Sequence, residues 1–263
     1  MCSTQPEQRC YDDHDRPARR MLPFLGMRPF DVSAYCPGGR DGQQTRRHHL
    51  RCDRDALFSR PLKPRLRKVG LPAESLPLFF GRLLRDAFAS EVAGTYIAFR
   101  DIARATLQVT AADHGAAVSE CGAEDVLAGF AELQPHADVK AAFERTHLAE
   151  VRILALTNGS AANTEKLIQR AGLSSFVEKT ISIDAVRHWK PHREVYLHAV
   201  REAGVDPSRA AMVAAHAWDT HGAKMAGLKT GWVQRSEKQY SSALLLPDAQ
   251  GTSLVEVVEK LLE

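Results

Sequence analysis

Three short stretches of this chain gather residue types suited to small anions: Thr157-Asn158-Gly159-Ser160, Lys190-Pro191 with Tyr196 six residues beyond Lys190, and His216-Ala217-Trp218-Asp219. In the first, a hydroxyl, a side-chain amide and the free N–H groups of a helix starting just after them make a receptor for an anionic oxygen or a halide. The same residues also make an ordinary helix N-cap, where serine and asparagine are preferred, and the stretch alone does not separate the two readings. Lys190 offers a positive charge, Tyr196 a phenol and Asp219 a carboxylate. A lone lysine is usually a solvated surface charge, but a Lys-Pro pair beyond an apolar segment and opening a helix is a less ordinary setting. His216 has two readings as well, a supporting hydrogen bond or packing against Trp218.

Each stretch follows an apolar run, and these runs belong to a regular alternation after His147. The pattern predicts strand Val151–Thr157, helix Asn163–Ala171, strand Thr180–Ile183, helix Glu194–Ala203, strand Ala211–Ala215, helix Gly222–Ala226, strand Thr230–Gln234 and a final helix Leu254–Leu262. Alternation of this kind implies right-handed βαβ crossovers. The expected fold class is therefore α/β, a Rossmann-like parallel sheet with helices on both faces. Ligands of open parallel sheets bind beyond the carboxyl ends of the strands, where Thr157, Lys190 and Asp219 would lie. Upstream, Leu76, Phe79, Phe80, Leu83, Leu84 and Phe88 recur at helical spacing and predict a helix over 73–90. Helices over Phe99–Val109, Ala123–Leu133 and Ala137–Leu148 follow without a strand between them. This gives a three-part division: a basic segment over 1–60, a helical cap over 70–135 and an α/β core over 136–263.

The overall charge of +3 conceals an asymmetry: residues 1–69 hold 15 Lys/Arg against 8 Asp/Glu, a net +7, leaving 20 against 24, a net −4, for 70–263. Residues 1–60 show neither helical nor strand periodicity, and the expectation is a mostly disordered, solvated tail. Without aromatic interleaving or a recognised motif its basic patches are not read as a nucleic-acid site. Four of the five cysteines, Cys2, Cys10, Cys36 and Cys52, lie in this segment, and Cys121 lies outside it. The odd, uneven count points to reduced thiols and a cytoplasmic protein rather than a disulfide framework. No Cys-x-x-Cys pair suggests a zinc site, and no cofactor is expected. No apolar run approaches the roughly 18 residues of a membrane span.

Taken together, Leu156-Thr157-Asn158-Gly159, Lys190-Pro191 with Tyr196, and Val213 through Asp219 with Gly222-Ala223 and Ala226-Gly227-Leu228 resemble the haloacid dehalogenase superfamily, over about residues 70–263. The closest likeness is to its type II 2-haloacid dehalogenases. The resemblance implies a hydrolase in which an aspartate at a strand end displaces halide from carbon 2 of a 2-haloacid. Water then hydrolyses the aspartyl ester. It implies that Lys190 balances the nucleophile's charge, that Asp219 orients Lys190 and water, and that Tyr196 supports Lys190. Thr157 and Asn158 would hold carboxylate or halide, with Ser160, His216 and Trp218 further candidates around the substrate. Arg82 is a looser candidate for the arginine that accepts the leaving halide, because its register is offset. Dimerisation is common in the family, although nothing in the sequence itself shows it. Superfamily phosphatases hold Mg²⁺ with two carboxylates four residues apart, and this chain has Ala215 where the first would stand before Asp219. Metal-free chemistry is expected.

One family element is missing. No Asp-x-x-Gly-Thr-Leu or Asp-x-Asp-Gly-Thr string precedes Gly70, so the nucleophile is unassigned. Asp31, Asp53, Asp55 and the Asp13-His14-Asp15 fragment are the nearest approaches, and Leu50–Phe58 is the segment best able to act as a substitute strand. Two alternatives stay open, a Mg²⁺-dependent superfamily phosphatase and a catalytically dead binding module.

Overall fold

The computed structural model describes residues 61–235 and 237–263. The predicted tail over 1–60, the substitute strand Leu50–Phe58, the four upstream cysteines and the aspartates weighed as nucleophiles all lie outside the described residues.

Helices come first: α1 (Leu62–Lys68), α2 (Leu76–Val92), α3 (Phe99–Ala112), α4 (Glu120–Ala128) and α5 (Val139–Leu148). α1 lies upstream of residue 70, where the sequence reading began the ordered part. Its Leu62 and Leu66 are fully buried, and Arg65 reaches Asp125 at 3.2 Å and Glu132 at 2.8 Å. Two apolar residues four apart in so basic a segment give little periodic signal, which is why composition hides this helix. The third predicted helix is α4, capped by Ser119 accepting from the Gly122 N–H, and a 3₁₀ turn over Gly129–Glu132 completes it.

Beyond α5 the chain alternates: β1 (Ile153–Thr157), α6 (Ala161–Arg170), β2 (Val177–Ser182), α7 (Arg193–Ala203), β3 (Ala211–Ala214), α8 (Ala217–Met225), β4 (Lys229–Val233), β5 (Ala249–Gly251) and α9 (Leu254–Leu262). All strand pairs are parallel. β2 begins earlier than its apolar stretch suggested, because it is an edge strand whose Glu178 and Lys179 face solvent. α8 begins at Ala217 rather than Gly222, placing Asp219 in its first turn. α7 stops at Gly204, whose φ of +68° is the left-handed conformation glycine supplies at low cost.

The described strands form two sheets, β1-β2 and β3-β4-β5. β1 and β3 are not hydrogen-bonded to each other, yet their alternate residues enter the same two apolar clusters. Ile153, Ala155, Ala211 and Val213 pack with α5 and α9 through Phe143, Val257 and Val258. Leu154, Leu156, Met212 and Ala214 face the other side, where the cluster runs through α7 into α1, α2 and α3. Both strands are buried along their whole length, as expected of parallel strands covered on both faces. Among the described residues no helix is long and apolar enough to cross a membrane.

Candidate active site

Lys190 and Asp219 meet at the carboxyl ends of β1 and β3. Lys190 Nζ donates to Asp219 Oδ2 at 2.9 Å and to the Leu156 carbonyl, on β1, at 3.3 Å. The two side chains are 0% and 1% exposed. The other carboxylate oxygen of Asp219 accepts from the Tyr196 hydroxyl at 2.7 Å, so both its oxygens are engaged. A buried charge is tolerable only when paired and hydrogen-bonded in this way. The sequence builds the arrangement locally: Trp189 is fully buried and fixes the loop that carries Lys190, while Tyr196 lies on the buried face of α7.

The backbone leaves no slack around these groups. A Cβ on Gly222 would come within 2.5 Å of Pro191 Cβ, 2.8 Å of the Pro191 carbonyl and 2.9 Å of the Tyr196 hydroxyl. Alanine in a helix normally gains about 0.5–1 kcal/mol over glycine, but the overpacking here costs roughly 1–3 kcal/mol and wins. Gly222→Ala is therefore expected to lower the urea midpoint. Gly81→Ala, in α2 where a Cβ meets nothing within 4 Å, should raise it, and equal responses of the two variants would refute this packing.

At the end of β1, Asn158 Oδ1 accepts the Lys190 N–H at 3.2 Å. Its Nδ2 is buried with no hydrogen-bond partner among the described residues. A buried donor left unsatisfied costs about 1–3 kcal/mol, and Asn158 lines a small pocket of about 10 Å³ walled by Phe80, Leu83, Leu84, Phe99 and Trp189. Thr157, also buried, accepts the Gly159 N–H at 3.0 Å and so tightens the turn that presents the amide. An unsatisfied amide on a residue that lines an apolar, water-sized pocket suits one small acceptor.

The other sequence candidates make contacts of their own. Ser160 caps α6, accepting from the Asn163 N–H at 3.3 Å. Arg82 pairs with Asp113 at 2.5 Å within the helical layer and is not among the residues lining the Asn158 pocket. Trp218 packs edge-on against Phe88 of α2 at 5.2 Å and stacks on His216 at 5.6 Å. His216 Nδ1 lies 2.7 Å from Glu237, whose second oxygen accepts the Ala217 N–H at 3.0 Å. Glu237 and Glu91, which accepts the Trp189 N–H at 2.7 Å, were not singled out in the sequence. Both act across long separations that no local pattern encodes.

Among the described residues the site does not suit Mg²⁺. The ion needs several hard oxygen ligands, but among the described residues the Ala215 side chain has none to give and Asp219 already accepts from an ammonium and a phenol.

Comparison with known proteins bears on the family and the fold. The family model for haloacid dehalogenase-like hydrolases matches residues 73–227. The (S)-2-haloacid dehalogenase of Pseudomonas sp. (strain YL) is 27% identical over 164 residues, 62% of this chain and 71% of that protein. The (S)-2-haloacid dehalogenase of Xanthobacter autotrophicus is 30% identical over 146 residues, 56% of this chain and 57% of that protein. Among solved structures, the L-2-haloacid dehalogenase of Xanthobacter autotrophicus superimposes with a TM-score of 0.71 at 21% identity, covering 77% of this chain and 92% of that one. The HAD-hydrolase YfnB of Bacillus subtilis, solved bound to magnesium, has a TM-score of 0.65 at 12% identity over 77% and 90%.

Proposed function

Because the chain belongs to the haloacid dehalogenase-like hydrolase family, we propose that its site is built for metal-independent removal of halide from a small 2-haloacid. The carrying observation is the buried Lys190–Asp219–Tyr196 network with Ala215 in place of a second carboxylate. In this reading a strand-end carboxylate attacks carbon 2, the carbon–halogen bond breaks and halide departs. Water then cleaves the resulting ester, giving the 2-hydroxy acid and freeing the carboxylate. Lys190 offsets the nucleophile's charge, and Asp219, held by Tyr196, keeps the ammonium in place and orients the hydrolytic water. The Asn158 amide in its apolar pocket receives the halide, while Thr157 shapes that turn. The protein works in the cytoplasm, a placement supported by its uneven cysteine usage.

The test supplies what the sequence lacks. An apolar strand ending in Asp-x-x-Gly-Thr-Leu, placed ahead of α1, should yield halide release from 2-chloropropionate that persists in EDTA and vanishes on Lys190→Ala. Hydrolysis of a phosphomonoester with Mg²⁺, without halide release, would replace this reading with a phosphatase.

A further inference from the structure

A second cluster of ligand-bearing side chains lies on the other side of the Lys190 loop. Glu91, in the last turn of α2, His188 and His192 present one carboxylate oxygen and two imidazole nitrogens, all within 4.8 Å of one another. We propose that these three residues bind a transition-metal cation of the zinc class. The site is separate from the proposed reaction and does not depend on it.

The geometry is near that of a metal site. Tetrahedral zinc with bonds of about 2.0–2.1 Å sets its ligand atoms roughly 3.3 Å apart. Glu91 Oε1 lies 2.7 Å from His188 Nδ1 and 4.0 Å from His192 Nε2, so these two distances have to change by about 0.6–0.7 Å, and the two ring nitrogens start within 4.8 Å of each other. The two rings are stacked at 3.9 Å with 7° between their planes. Imidazole ligates in the plane of its ring, so one of the two parallel rings has to rotate for both to hold the same ion. Glu91 is oriented from behind by the Trp189 N–H, the kind of supporting bond that metal-ligating carboxylates carry. Its side chain is 13% exposed while the histidines are 39% and 41% exposed, which gives an ion a route in. Binding has a cost: His192 Nδ1 now accepts the Glu194 N–H and must carry the proton if Nε2 ligates. Two imidazoles favour Zn²⁺, Ni²⁺, Co²⁺ or Cu²⁺ over Mg²⁺ or Ca²⁺. A bound ion would bolt the end of α2 to the loop that carries Lys190.

The test is calorimetric titration of the full chain with Zn²⁺ in chelator-free buffer. One equivalent should bind, with affinity falling at least about tenfold in His188→Ala and in His192→Ala while His198→Ala and titration with Mg²⁺ serve as controls. Glu91→Gln tests the third ligand, with its melting curve recorded because Glu91 also fixes Trp189. Co²⁺ separates this site from the cysteines, since an imidazole–carboxylate site shows visible bands without a thiolate-to-cobalt charge-transfer band. Absence of zinc binding at millimolar metal, or binding that carries the thiolate band and ignores both histidine substitutions, would overturn the proposal.

Discussion

Lys190→Ala is expected to destabilise the protein by about 3–5 kcal/mol, because it leaves the Asp219 carboxylate buried without its counter-charge. The Tyr196 hydroxyl still bonds Asp219 in that variant, which favours the lower end of the range. Set against a total stability of about 5–15 kcal/mol, the loss is large and easily read from urea midpoints. Lys190→Met combined with Asp219→Asn should recover most of it, since the pair is then neutral and the tyrosine bond can persist. Measured against the Lys190→Met and Asp219→Asn single variants, the recovery appears as a coupling energy in a double-mutant cycle. A single-variant change under about 0.5 kcal/mol, the size of an ordinary surface substitution, would show that the pair is not buried in solution.

Halide release from 2-chloropropionate by the unaltered chain is expected to fall short of the strand-restored variant by on the order of 10⁴-fold or more, the usual consequence of removing a nucleophile. The site would then bind without turnover. Calorimetry with 2-chloropropionate distinguishes that outcome from an empty site. Robust release by the unaltered chain would mean that a carboxylate outside the family pattern attacks. Asp31→Asn, Asp53→Asn and Asp55→Asn would identify it.

Much of this was legible because parallel strands announce themselves. Ile153 to Leu156 and Ala211 to Ala214 are apolar throughout since both faces are covered, and polar residues follow at the cleft end of each. The sequence pattern shortens β2 and does not show β5, because an edge strand and a three-residue strand carry little hydrophobic signal. α1 was hidden for the opposite reason, two buried leucines set among arginines and lysines. Within the site, residue types near strand ends pointed to Lys190, Tyr196 and Asp219, whose partners lie within about one crossover of each other. The positions of Arg82, Trp218 and His216 depend instead on which helix packs beside them. Their contacts with Asp113, Phe88 and Glu237 arise from tertiary packing, which one sequence does not reveal.

The separation of the described strands into two sheets also bears on how firmly the cleft keeps its width. Within a sheet, the hydrogen-bond ladder acts as a ruler, holding neighbouring strands about 4.7–4.9 Å apart. Asn158 rides at the end of β1 and Asp219 follows β3, and no ladder bond joins those two strands. Among the described residues, side-chain volume in the two shared clusters sets their spacing, together with the Lys190 ammonium that touches Leu156 on one side and Asp219 on the other. Among the described residues the cleft is therefore gauged by packing and one ion-paired tether, and a substitution that swells or shrinks either cluster is expected to shift the amide relative to the carboxylate.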